Sequence, residues 1–239
     1  VRGIWPERKQ SIKEVANVLT DLIIELGNFE QSYSNLYFLM NENTDDVYCA
    51  FDENNKLDTK YKLAYDILSS QKASIVKHYP NLIPDIDFTE PIGFDIFFYS
   101  NQRAKPDQFT IHSKVGAYGG WNNYIDFTFP KTFSRSYEWY LKLLEIVLRY
   151  FPIKTIGVYP EFTLRLKGGP KEFPGWISFY SNYLDLPHIP EFIEIVHRMD
   201  GKLYLLTRET FDIRNLAHVE KWRTFYKEFL KKYPVKTNS

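Results

Sequence analysis

Two short apolar runs, 193–196 and 203–206, flank Asp200-Gly201-Lys202. Asp-Gly between such runs is a strong two-residue turn signal, so the stretch predicts a β-hairpin turning at Asp200-Gly201. Ile193, Ile195 and His197 share one face of its first arm, and Leu203 and Leu205 one face of its second. Upstream, Phe173-Pro174-Gly175-Trp176-Ile177-Ser178-Phe179-Tyr180 reads as a strand entered through Pro-Gly, and Pro187-His188-Ile189-Pro190 as a double-proline crossing. Trp176 and Tyr180, four residues apart, are expected on one face of that strand, anchoring the sheet to one helix. A sheet edge packed on a helix follows; a catalytic constellation does not.

The remaining elements follow from periodicity. Ile12, Val15, Ala16, Leu19, Leu22, Ile23 and Leu26 recur at helical spacing, which predicts an amphipathic helix over Ser11–Leu26. Ser11 and Glu14 make a capping box, and Gly27 is the expected stop. Residues 31–40 read as a shorter helix or an irregular aromatic segment, 47–51 as a strand and 61–79 as a second helix. Strands are expected over 93–99, 108–115 and 123–129, the last alternating Ile125, Phe127 and Phe129 against Tyr124, Asp126 and Thr128. A helix over 137–151 stops at Pro152, a strand covers 155–159, and 160–174 is a loop. The final helix carries Val219, Trp222, Phe225, Tyr226, Phe229 and Tyr233 on one stripe and ends at Pro234. Three successive strands between helices indicate an α+β class, with a largely antiparallel sheet packed against amphipathic helices. No linker or repeat divides the chain, so residues 1–239 are expected to form a single domain.

Composition narrows the function classes. The 239 residues are 44% hydrophobic and 18% aromatic, as in a globular chain with an aromatic core and unlike a disordered one. Lys+Arg and Asp+Glu both number 30, so no global basic field draws in nucleic acid. Charge is polarised along the sequence: six acids stand against Lys56 between Glu42 and Asp58, and six bases against Glu228 between Lys221 and Lys236. Cys49 is the single cysteine; it forms no intrachain disulfide and reads as a small buried hydrophobe. No apolar run approaches the roughly 18 residues of a membrane span. The opening residues do not read as a secretory signal, so the cytoplasm is the expected compartment.

No catalytic pattern survives inspection. His78, His112, His188, His197 and His218 are dispersed without metal-ligand spacing and read as surface or structurally bonded side chains. Ser74-Ile75-Val76-Lys77 lacks the companion motifs of a Ser-x-x-Lys hydrolase. Gly116, Gly119 and Gly120 have the wrong spacing for a dinucleotide fingerprint. A restriction-type nuclease site needs acids and a lysine converging on a metal. The acid-x-Lys tripeptides at Glu7, Asp58 and Asp200 fall before a helix, at a helix start and in a turn. Trp5, Trp121, Trp139, Trp176 and Trp222 read as core in the absence of a basic groove. No catalytic residue, metal or cofactor is expected, and the chain does not read as an enzyme.

A resemblance carries the functional reading further. Gly175, Trp176 and Tyr180, then Leu186, Pro187 and Pro190, then Gly201, Thr207, Glu209, Phe211, Asn215 and His218 resemble the motif residues of the immunity protein 52 family. The opening Trp5-Pro6-Glu7-Arg8 is similar to that family's Trp-x-x-Arg. Gly116 and Trp121-Asn122-Asn123 also fit, loosely. The resemblance implies a bacterial protein that protects its producer by binding a polymorphic toxin with a restriction-endonuclease-like nuclease domain. It implies structural roles for Trp5, Arg8, Gly175, Trp176, Tyr180, Pro187, Pro190, Gly201 and Phe211. The implied partner is the toxin itself, with no direct nucleic acid and no membrane. An inhibitor of a cationic DNA cleft gains from an acidic face that mimics phosphate. The acid-rich loops at Glu42, Asp45, Asp46, Asp52 and Glu53, with Tyr48 as an aromatic anchor, are the expected contact. Those acids read equally as solvated loops. A secretion-system adaptor and a hydrolase with dispersed catalytic residues are the competing classes.

Overall fold

The computed structural model of the chain describes residues 1–6, 10–33, 36–39, 47–49, 94–100, 108–115, 123–130, 132–159, 174–198 and 200–234. In chain order the elements are β1 (Arg2–Trp5), α1 (Ile12–Phe29), β2 (Tyr37–Leu39), β3 (Val47–Cys49), β4 (Phe94–Tyr99), β5 (Thr110–Val115) and β6 (Asn123–Thr128). They continue with α2 (Tyr137–Tyr150), β7 (Thr155–Val158), β8 (Ile177–Ser181), β9 (Glu194–Arg198), β10 (Gly201–Leu205) and α3 (Leu216–Lys232). The class is α+β with antiparallel ladders, as the sequence indicates. The helix expected over 61–79 and residues 160–173 of the loop expected over 160–174 lie outside the described residues. The chain gathers into two compact units: Val1–Ile4 with Ser134–Glu145 and Pro152–Ser239, and Trp5–Phe133 with Ile146–Phe151. Neither is a continuous stretch, which is why no linker marks a boundary in the sequence.

In the first unit the strand order is β1-β7-β8-β10-β9, each neighbouring pair antiparallel. β7 and β8 are buried along their whole length because helices cover both sides. On one face Tyr180 lies 5.4 Å from Phe229 and Tyr204 lies 6.3 Å from Phe225, both rings belonging to α3. On the other face Arg198 reaches Glu145 of α2 at 2.6 Å. A strand covered on both sides has no polar face to alternate with, so Ile177–Ser181 reads as an unbroken run. Its two serines are small, and the Ser178 hydroxyl accepts the Gly175 N–H at 2.7 Å.

Two expectations are corrected here. Arg198 pairs with Gly201, so Gly201 is already a ladder residue of β10 and not part of the turn. What this glycine supplies is room: a Cβ would run into the Tyr180 carbonyl oxygen and come within 2.6 and 2.7 Å of the Phe179 ring. Trp176 and Tyr180 do not anchor to one helix. Trp176 precedes the first residue of β8, escapes its two-residue alternation, and meets Tyr140 of α2 edge-on at 5.4 Å.

The second unit has the order β3-β2-β4-β5-β6, antiparallel throughout. Its ladder aligns Ile96 with Ser113 and Ile125, and Phe98 with Ile111 and Phe127, and all six are buried. Helix α1 buries Val15, Ala16, Leu19, Leu22, Ile23 and Leu26 completely, the stripe that the sequence predicts. Its capping box forms as expected: the Ser11 N–H donates to Glu14 Oε2 at 2.8 Å and the Glu14 N–H to Ser11 Oγ at 3.2 Å. The helix does not stop at Gly27. Glycine costs a helix interior only about 1 kcal/mol, and the helix ends instead at Glu30, which is extended (φ −147°, ψ 121°). Residues 31–40 hold a 3-10 turn, Gln31–Tyr33, and then β2, in place of the expected helix or irregular segment. β1, four residues long, is too short to show periodicity and is not anticipated by the sequence. No helix among the described residues is long and apolar enough to cross a membrane.

Candidate functional site

The acids expected to meet a partner flank β3 in the sequence. Glu42, Asp45, Asp46, Asp52 and Glu53 lie outside the described residues, as does Arg8. Tyr48 is described through its backbone, which pairs with Phe38 across the β2–β3 ladder. Among the described residues β3 ends the strand order of its unit.

The residues that carry the family resemblance are brought together around β8, β10 and the start of α3. A Cβ on Gly175 would strike the Val158 carbonyl oxygen, and next to it the Trp176 N–H donates to that same oxygen at 2.8 Å. The Trp176 indole N–H reaches forward to the Thr207 carbonyl at 2.9 Å. Thr207 Oγ1 in turn accepts the Glu209 N–H at 3.2 Å. Glu209 Oε2 lies 3.3 Å from His218 Nε2, and Phe211 lies against the His218 ring at 5.7 Å. Asn215 caps α3 by accepting the Ala217 N–H at 3.0 Å. The Pro190 carbonyl accepts the Ile193 N–H at 3.0 Å, and the Leu186 carbonyl accepts from Lys232 at 3.1 Å. Pro187 is half-buried in the same crossing. In the second unit Trp5 is buried and stacks on Phe151 at 4.6 Å, while buried Asn123 donates to the Pro6 carbonyl at 2.9 Å. Residues scattered over more than 40 positions of sequence therefore act on one another.

The titratable groups in this region are engaged. His218 is only 6% exposed, and its Nδ1 accepts the Asp212 backbone N–H at 3.1 Å. That bond assigns the proton to Nε2, which points at Glu209, so both ring nitrogens have a task in holding the loop onto α3. Arg208 donates from Nε and Nη2 to the two Glu194 oxygens at 2.8 and 2.5 Å, and from Nη1 to the Tyr137 hydroxyl at 3.2 Å. The hydrogen bond from Arg208 holds the Glu194 carboxyl below its usual range, and Glu194 raises the guanidinium further. Burial pushes the Tyr140 phenol up to about 12. Among the described residues no three His, Cys, Asp or Glu side chains gather as a metal site would require.

One surface feature has no counterpart in the sequence expectations. Phe97 of β4, 43% exposed, stacks on His112 of β5 at 3.6 Å. The Tyr124 hydroxyl of β6 lies 3.0 Å from His112 Nε2. Asp126 pairs with His112 in the ladder and belongs to the same face. The signal for it is present in β4, where Ile96-Phe97-Phe98-Tyr99 continues apolar through a position that alternation gives to solvent.

No protein-family model matches this chain, and no curated protein matches it.

Proposed function

We propose that the chain is an immunity protein that neutralises a cognate bacterial polymorphic toxin by forming a stoichiometric complex with it. The toxin class is a nuclease with a restriction-endonuclease-like fold, and the compartment is the cytoplasm. The observation that carries this reading is the interlocking of the motif residues. Trp176 with Thr207, Gly201 with Tyr180, and Glu209 and Phe211 with His218 are pairs from different motif segments.

Inhibition by binding asks for a surface with a few anchors. Phe97, exposed and stacked on His112, offers an aromatic anchor, and the acid-rich segments at Glu42, Asp45, Asp46, Asp52 and Glu53 offer charge opposite to that of a DNA cleft. Co-expression with the nuclease toxin of the neighbouring gene tests the reading, with growth and gel filtration as readouts. Rescue with a 1:1 complex is expected. A folded protein that neither rescues growth nor co-elutes with the toxin refutes the pairing.

A further inference from the structure

We infer that β9 is a self-pairing edge, through which two copies of this chain join as an antiparallel dimer. The inference stands apart from the immunity reading and rests on β9 itself. β9 ends the strand order of its unit, and its ladder is with β10 alone among the described residues. An unpaired edge offers its N–H and C=O groups to another strand.

The direction of those groups follows from the hairpin. Arg198 and Gly201 close a two-residue loop, and the closing pair of such a loop exchanges both of its hydrogen bonds. Bonding to β10 then belongs to Arg198, Val196 and Glu194, and the backbone groups of Ile195 and His197 point outward. Two β9 strands related by a twofold axis at Val196 place Ile195 opposite the partner copy's position 197, an outward pair facing an outward pair. That register satisfies the free edge on both sides.

The side chains favour the same register. Glu194 falls opposite position 198 of the second copy, and Arg198 opposite its position 194, so acid meets base at both ends. Within one copy Glu194 is already clamped by Arg208, and Arg198 by Glu145 at 2.6 Å. Pairing therefore builds a row of alternating sign, Arg208–Glu194 of one copy followed by the arginine–glutamate pair of the other. Charged residues on an edge ordinarily discourage association; here the second copy presents the opposite charge at each position. The other face gains apolar cover at Ile195, which is 42% exposed. An isologous twofold contact of this kind closes at two copies.

Sedimentation across a concentration series, with hydrogen exchange on the same samples, tests the dimer. Wild type is expected to shift from monomer to dimer as concentration rises, and the amides of Ile195 and His197 gain protection with it. Glu194→Arg and Arg198→Glu each set like charges opposite one another at two symmetric positions, and each is expected to weaken self-association about tenfold or more. Mixed together, the two variants restore opposite charges at every position and regain a 1:1 heterodimer. Both changes touch exposed ion pairs, and circular dichroism checks that each variant folds. A wild type that stays monomeric, or amides at 195 and 197 that exchange alike at all concentrations, overturns the inference. So does a dimer that both variants retain. Protection appearing only when a different protein is added assigns the edge to that protein's strand and overturns self-pairing.

Discussion

Gly201→Ala discriminates between two reasons for a glycine. If Gly201 served a turn, its task would be a positive φ, and asparagine would replace it at little cost. In the structure it pairs with Arg198 on one side and Ser181 on the other, and its missing Cβ is occupied by neighbours. Phe179 Cζ lies 2.6 Å from the position a Cβ would take, against the 3.4 Å or more of ordinary contact. The ring must therefore retreat by roughly 0.8 Å, and it is 2% exposed in an interior that yields little. The Tyr180 carbonyl, the nearest atom, belongs to backbone paired with both β7 and β10 and cannot swing aside. Overpacking of this kind costs about 3 kcal/mol, which for a chain of this size lowers the melting temperature by roughly 6–12 °C. Urea unfolding followed by tryptophan fluorescence measures it, and Gly201→Asn is expected to lose at least as much as Gly201→Ala. Alanine and asparagine variants both within about 1 kcal/mol of wild type would refute the steric account and return Gly201 to the turn.

Four further outcomes are expected. Ser113 is fully buried between Ile96 and Ile125, and its hydroxyl makes no hydrogen bond, so Ser113→Ala should raise stability by about 1 kcal/mol in urea titration. Asn215→Ala removes the cap on the Ala217 N–H and should lower stability by about 1 kcal/mol in the same assay. Tyr140 in the folded chain holds its proton up to about 12, whereas an unfolded tyrosine releases it near 10. The folded state thus binds a proton that the unfolded state has lost, so stability is full below about pH 10 and falls by about 2 kcal/mol on the way to 12. Thermal melts between those values should show the fall, flattened in Tyr140→Phe. Under the proposed function, Phe97→Ala takes away an exposed ring and should leave stability within about 1 kcal/mol while weakening toxin capture at least tenfold in a binding titration.

The legible parts of this fold are those where one residue's environment is decided by its near neighbours. Ser11 and Glu14 lie three residues apart, and both bonds of the capping box form. The stripe of α1 and the alternation of β5 and β6 hold because a single face of each is buried. Errors enter where a distant segment decides. Gly27 sits inside α1 and Gly201 inside β10 because the surroundings, and not the local turn chemistry, set their conformation. Trp176 turns to Tyr140 and Thr207, 36 and 31 positions away, a pairing that no local period contains. The acid-rich segments were visible as charge, yet charge density alone does not separate a contact face from a solvated loop.

This division bears on where specificity resides. Four resemblance residues show their structural partners: Gly175 with Val158, Trp176 with Thr207, Gly201 with Tyr180, His218 with Asp212. Such residues answer to packing and tolerate little, because each of these four meets the backbone of another segment. A contact surface answers to a different constraint. Phe97 can change with the partner without disturbing the ladders of β8 and β10, since neither ladder includes it. Under the proposed function, reversal of charge at Asp45 and Asp46 should therefore abolish protection in the growth assay while leaving the urea midpoint where it was. Changes at Gly201 or Trp176 should move both readouts together. A variant at Asp45 and Asp46 that loses stability in step with protection would contradict this separation of scaffold from contact surface.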